Sequence, residues 1–208
     1  MPPIRVVGIA KSNYVQSVLL ALREKGLDHE LVPPEDGLDG PLHRRLHPWG
    51  KVPVMIEGDF VLYETSAILR YLDTLASDPA LMPSEPRAAA RAEQWISATN
   101  AYLDRHVIRD LAVPAMKARG AGAAYDPAPE ILAAIEADLG ILEAALAPSP
   151  FLLGETPTLP DLLAAPILNY AAQIAWTRPM VEARPNLRRF LDAIHARPAA
   201  EGVMRRPW

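Results

Sequence analysis

The sequence predicts an α/β domain followed by an all-α domain, and three observations carry that reading. Residues 1–76 alternate short β-branched runs with amphipathic helical stretches. Residues 77–86 hold Pro79, Pro83 and Pro86 and no hydrophobic period, which is the composition of a linker. Over residues 87–208 the periodic segments are all helical, and runs such as Ala88-Ala89-Ala90 supply strong helix formers. A mixed first part and a purely helical second part form a restrictive layout.

Ile4 to Ile9 is short, β-branched and unbroken, and reads as a buried strand. The polar loop Ala10-Lys11-Ser12-Asn13-Tyr14 follows. Val15, Val18, Leu19 and Leu22 then recur at i, i+3, i+4 and i+7, one face of a helix over Val15 to Lys25, with Gly26 suited to the left-handed stop. His29 to Val32 reads as a second strand, closed by Pro33-Pro34. Glu35 to Gly50 is loop-like, with one helical turn near Pro41 to Leu46. Val52 to Ile56 and Phe60 to Tyr63 are two strands, and Gly58-Asp59 between them suits a tight hairpin. Thr65 to Leu75 carries Ile68, Leu69 and Leu72 on a helical stripe. In the second part a long helix spans Arg87 to Lys117 with a break expected near Pro114. Pro129 to Leu146 is amphipathic, with Pro129 in its first turn. Thr158 to Ala175 is largely apolar, hence buried, and Pro185 to Ala196 is the last helix.

Half of the 208 residues are hydrophobic and 22% are charged, so a packed core is within reach and wholesale disorder is excluded. The formal net charge of −4 divides evenly: 8 basic and 10 acidic residues up to Ala76, 13 and 15 after it. Neither part is a basic arm, which argues against nucleic acid as a partner. Cysteine is absent, so disulfides, thiolate metal sites and a Cys nucleophile are excluded. Met1 to Arg5 shows no leader pattern, and no apolar run approaches the ~20 residues that span a bilayer, so no membrane role is expected.

Three local patterns point to roles. His47-Pro48-Trp49-Gly50-Lys51-Val52-Pro53 leads from a loop into a strand. Pro53 there is either an ordinary turn residue or a cis residue that turns the preceding backbone outward. In the second case Val52 offers its N–H and C=O to an extended peptide. Tyr63-Glu64-Thr65-Ser66-Ala67-Ile68 crosses a strand-to-helix junction, where unpaired amides and the helix dipole favour an anion. Thr65 with those amides suits a carboxylate and Glu64 an ammonium group, the two charges of an amino-acid end. The plainer use of such a threonine is an N-cap. Thr158-Leu159-Pro160-Asp161 is a capping box with a structural role.

Together these patterns resemble the cytosolic glutathione transferases over nearly the whole chain. The resemblance rests on Val52-Pro53, on Glu64-Thr65 followed by Ala67-Ile68, on Phe151-Leu152-Leu153-Gly154, and on the Thr158-x-x-Asp161 box before Ala164-Ala165-Pro166. It implies a thioredoxin-like domain over residues 1–76, a linker over 77–86 and a helical-bundle domain over 87–208. It is closest to the serine-type members, the phi class and its bacterial relatives, whose loop after the first strand supplies an activating hydroxyl; Ser12 falls on that loop. By position, Val52 at the Val52-Pro53 step would pair with the cysteinyl backbone of glutathione, Glu64 and Thr65 would hold its γ-glutamyl end, and Lys51 would reach its glycine carboxylate.

The activity so implied is attack of the glutathione thiolate on a small apolar electrophile. Glutathione is the co-substrate, no metal is needed, and the protein is expected to be a cytoplasmic homodimer. Trp49, in the loop before Lys51, is either an aromatic plug for the partner subunit or a residue folded onto its own domain. Other activities implied for the same fold are glutathione-dependent isomerisation, peroxide reduction or dehalogenation, and the non-catalytic alternative is an interaction module.

Several residues keep rival readings. Tyr14 is an alternative hydroxyl donor to Ser12, and Asn13 an amide donor. Leu38-Asp39 stands where phi enzymes often place His-Lys; Asp39 is expected to repel a carboxylate, leaving Lys51 or His43 to hold it. His43 and His47 have a metal-ligand spacing, but with no third ligand and with Arg44-Arg45 between them a solvated turn is the expectation. Tyr102, His106 and Met116, with Tyr14, are candidates for the electrophile pocket, since the family builds it on the first helix of the second domain. Ion pairs of a solvated face are the alternative for His106, Arg105, Arg109 and Asp110.

Overall fold

β1 (Ile4–Val7), β2 (His29–Val32), β3 (Val54–Glu57) and β4 (Phe60–Tyr63) form one sheet in the order β2-β1-β3-β4. The computed structural model describes residues 3–207, which fall into two compact units: residues up to Met82 with Pro198–Met204, and Pro83–Arg197 with the residues from Arg205. β1 and β2 are parallel and therefore need a crossover, which α1 (Asn13–Glu24) supplies. β3 runs antiparallel to β1, and β4 antiparallel to β3 through a hairpin in which Gly58 takes a φ of 61°.

Register decides where chemistry can gather. Val7 pairs with Val54, and Val54 pairs with Tyr63. The end of β1, the start of β3 and the end of β4 therefore lie side by side. Ser12, Lys51-Val52-Pro53 and Glu64-Thr65 all leave the sheet at that one end.

α1 packs against α3 (Thr65–Leu75), burying Val15, Val18, Leu22, Ile68, Leu69 and Leu72. Gly8 permits the approach of α1 to the strand before it: a Cβ there would stand 2.6 Å from Cγ2 of Val15. The first strand is shorter than the sequence suggested, because the chain turns at Ile9, whose carbonyl accepts the Ser12 N–H at 2.8 Å. The third strand starts at Val54 rather than Val52, after a cis Val52–Pro53 peptide. The helical turn between β2 and β3 is α2 (Pro41–Leu46); the Asp36 carboxylate accepts its Leu42 and His43 N–H groups at 2.7 and 3.1 Å.

In the second unit α4 (Pro86–Ala98) runs into a π-helical stretch, Thr99–Ala112, and then into α5 (Val113–Gly120). The break expected at Pro114 does not occur. The Val113 N–H already reaches back five residues to the Ile108 carbonyl, and the Asp110 carbonyl, which Pro114 cannot serve, accepts the Tyr125 hydroxyl at 3.1 Å.

α6 (Pro129–Ala145), α7 (Leu159–Ala171), α8 (Arg178–Glu182) and α9 (Pro185–His195) complete this unit. α7 ends before the expected Ala175, where the Thr177 hydroxyl donates to the Ala171 carbonyl at 2.7 Å. α8 has five residues, too few to carry a readable period. The capping box forms: Asp161 accepts the Thr158 N–H and hydroxyl at 2.8 and 2.7 Å and the Leu152 N–H at 2.8 Å. Assigning all of residues 87–208 to the helical part needs one correction. Residues 198–204 belong to the first unit, where Ala199, Ala200 and Met204 are buried and Arg23 donates to the Glu201 carbonyl.

Candidate active site

Ser12 is the N-cap of α1, with extended backbone (φ −75°, ψ 126°). Its Oγ accepts the Val15 N–H at a long 3.4 Å. Capping occupies a lone pair and leaves the hydroxyl proton available to a third partner. The loop is fixed on both sides: the Gln16 N–H bonds the Ser12 carbonyl at 2.9 Å, and Gln16 Nε2 donates to the Ala10 carbonyl at 3.0 Å. The first turn of α1 carries no acidic residue, so the positive end of its dipole is not offset there. Ser12 and Tyr14 are half-buried, while Asn13 is buried.

At the start of β3, Pro53 is buried, Val52 half-buried and Lys51 exposed. The Lys51 carbonyl accepts Nε2–H of His43 at 2.8 Å. His43 is 1% exposed, so it is not available to a substrate carboxylate as the sequence had allowed. His43 of α2 and His47, its C-cap residue, are also not a solvated turn. Both are buried, and the Nδ1 atom of each has no hydrogen-bond partner. The His47 ring lies 4.8 Å from that of Tyr63 and 6.3 Å from that of Trp49. Burial holds the His47 imidazolium below its ordinary pKa; nearby Glu64 opposes this, while His43 and Lys51 add to it.

Glu64 occupies the N-cap position of α3 with φ 70° and ψ 112°, a left-handed backbone that a non-glycine residue adopts at a cost. Thr65 is therefore the first helical residue and not the cap. The Glu64 side chain makes no capping hydrogen bond to α3, and the first turn of α3 has no acidic residue. Thr65 is buried and Glu64 exposed. This leaves a helix N-terminus suited to an anion, with a carboxylate beside it.

The charge expected of Asp39 is met locally, since its carboxylate pairs with Arg44 Nη2 at 2.7 Å. Gly50, with φ 59°, allows the close approach here: a Cβ on it would stand 2.7 Å from the Leu38 carbonyl oxygen. The roles of His43, His47 and Arg44 escaped sequence reasoning. The i, i+4 spacing of the histidines was visible, but burial separates a brace from a metal pair, and burial is not written in a hexapeptide.

Tyr102 and Met116 of the second unit are 59% and 63% exposed. His106 is half-buried and its Nδ1 stands 2.7 Å from Asp138 Oδ2. Arg105 pairs with Asp110 at the surface, at 2.9 Å, but Arg109 pairs at 2.9 Å with a buried Asp104, so the solvated face expected here holds for the first pair only. Among the described residues no group of three or more His, Cys, Asp or Glu stands together as a metal site, and no helix is long and apolar enough to cross a membrane.

Comparison with known proteins agrees with this layout. The family model for the glutathione S-transferase N-terminal domain matches residues 11–75, and that for the C-terminal domain matches residues 67–193. Glutathione S-transferase 3 of Zea mays is 32% identical, with 96% of this chain and 92% of that protein covered. Glutathione S-transferase 1 of Triticum aestivum is 30% identical, with 98% and 94% covered. The solved apo structure of glutathione S-transferase III superposes with a TM-score of 0.81 at 30% identity, covering 97% of this chain and 95% of that one. On these matches to both halves and at this identity, the chain belongs to the glutathione S-transferase family.

Proposed function

We propose that this chain is a serine-type, phi-like glutathione transferase in which Ser12 donates a hydrogen bond to the glutathione sulfur. The observation that carries the reading is the register that brings Ser12, the Val52–Pro53 step and the uncapped start of α3 to one end of the sheet. In this reading Val52 pairs with the cysteinyl backbone, Thr65 and the first amides of α3 hold the γ-glutamyl carboxylate, and Glu64 takes the ammonium group. Lys51 takes the glycine carboxylate, with Asp39 neutralised by Arg44.

The energetics fit a hydroxyl donor. A free thiol has a pKa of about 8.5, and lowering it by about two units takes roughly 2.7 kcal/mol of thiolate stabilisation. A hydrogen bond to a charged acceptor supplies about 1.5–3 kcal/mol, and a helix N-terminus adds about 0.3–1 kcal/mol. Ser12 at the head of α1 offers both. The thiol loses its proton to solvent, the thiolate attacks the electrophilic carbon, and the leaving group departs with its electron pair; Ser12 forms no covalent bond. Asn13 is the weaker donor candidate because it is buried. Tyr102 and Met116, both exposed, are apolar contacts open to an electrophile.

A non-catalytic module is disfavoured by the intact set of Ser12, Lys51, Glu64 and Thr65. The reading extends to a cytoplasmic, detoxifying homodimer. Trp49, 64% exposed although edge-on to both His47 at 6.3 Å and Tyr63 at 5.8 Å, supports a plug into a second subunit. Sedimentation of Trp49→Ala tests this, and an unchanged dimer would count against it. The test of the function is retention on immobilised glutathione together with conjugation of an activated aryl halide. Retention without conjugation would favour the module, and absence of both would contradict the reading.

A further inference from the structure

α2 and its C-cap carry two buried imidazoles, His43 and His47, and burial alone does not account for them. An apolar side chain would fill either place without leaving a buried nitrogen unpartnered, which is costly. His43 is held by its own backbone, since its N–H donates to Asp36 at 3.1 Å and its carbonyl accepts the His47 N–H at 2.9 Å. Because a carbonyl can only accept, the 2.8 Å contact with Lys51 requires the proton on Nε2 and leaves the Nδ1 lone pair unpaired. The bond lands on the residue immediately before Val52. One turn on, His47 lies against Tyr63, immediately before Glu64. α2 thus touches the flank of both segments assigned above to the two ends of glutathione.

We propose that His43 is a positioning residue for glutathione capture: its Nε2–H···O=C bond to Lys51 fixes the peptide plane from which the Lys51 side chain and the Val52 amide face the tripeptide. The proposal rests on the glutathione reading of Lys51-Val52-Pro53. His43 is too buried to touch substrate, and it bonds to the carbonyl of Lys51 rather than to the Ser12 loop. Its effect therefore falls on binding and not on thiol ionisation or attack. Asp36 extends the chain of support by one step, since its carboxylate holds the backbone from which the imidazole projects.

The experiment is glutathione calorimetry and steady-state kinetics on the full chain for His43→Phe, His43→Met and His43→Gln. The apolar variants are expected to raise Kd and KM for glutathione about ten-fold, with kcat and the electrophile KM within about two-fold of wild type. His43→Gln, which keeps an N–H donor, is expected to recover most of the loss. A folded apolar variant with unchanged glutathione Kd would overturn the proposal. So would a Gln variant as weak as Phe, or apolar variants that fail to fold while Gln folds, which would place His43 in stability alone. If the wild-type chain takes up no glutathione in the calorimeter, the functional reading falls and this proposal with it, an outcome distinct from any confined to the variants.

Discussion

The Tyr125 hydroxyl donates to the Asp110 carbonyl at 3.1 Å, four residues before Pro114, and takes the acceptor that the proline leaves without an α-helical partner. Tyr125 itself is braced edge-on by Trp176 at 5.8 Å. Removing the hydroxyl in Tyr125→Phe is expected to cost about 1 kcal/mol, read as a melting temperature lower by about 2–4 °C. The kinetic constants should not move. A variant with unchanged melting would mean that water serves the carbonyl equally well.

That same stretch shows what the sequence hides. A proline in a helical pattern signals a break, yet here the hydrogen bonds reach back five residues, and the ion pairs Asp104–Arg109 and Arg105–Asp110 have the same spacing of five. No hydrophobic period distinguishes this from an α-helix. β2, β4 and α3 were legible to the residue because the Pro33-Pro34 stop, the Gly58-Asp59 turn and a clean apolar stripe delimit them. Ser12, Val52-Pro53 and Glu64-Thr65 were legible as motifs. What brings them to one end of the sheet is the Val7–Val54–Tyr63 register, and pairing is a property of the fold. His43 was misread because an exposed and a buried imidazole look alike in a loop.

Thr65→Ala removes a hydroxyl that caps nothing in the structure. The expected result is a KM for glutathione about ten-fold higher, equivalent to ~1.4 kcal/mol, with kcat little changed and melting unaffected. A loss of stability at constant KM would make Thr65 a cap after all.

His47 and His195 both have imidazolium forms disfavoured chiefly by burial; Arg206 adds to this at His195 and Asp192 opposes it. The unfolded chain takes up these protons at about pH 6.5, before the folded chain does. Their contribution to stability is therefore fully present above that pH and is lost as pH falls through it toward the lowered folded values. Chemical denaturation across this range should show the decline, and His47→Gln should flatten it. An equally steep decline in the variant would assign the effect to other groups.

Thiolate stabilisation in the proposed mechanism depends on Ser12 as the hydrogen-bond donor. The most direct measurement is the titration of the bound glutathione thiol by its thiolate absorbance, in the wild-type chain, in Ser12→Ala and in Tyr14→Phe. The wild type should ionise about two units below the free thiol value of about 8.5. In Ser12→Ala the bound thiol should rise by about one unit or more, with conjugation at neutral pH slower by ten-fold or more and glutathione affinity changed less. Tyr14→Phe should titrate as the wild type does. An unshifted titration in Ser12→Ala, with the shift appearing in Tyr14→Phe instead, would contradict the assignment.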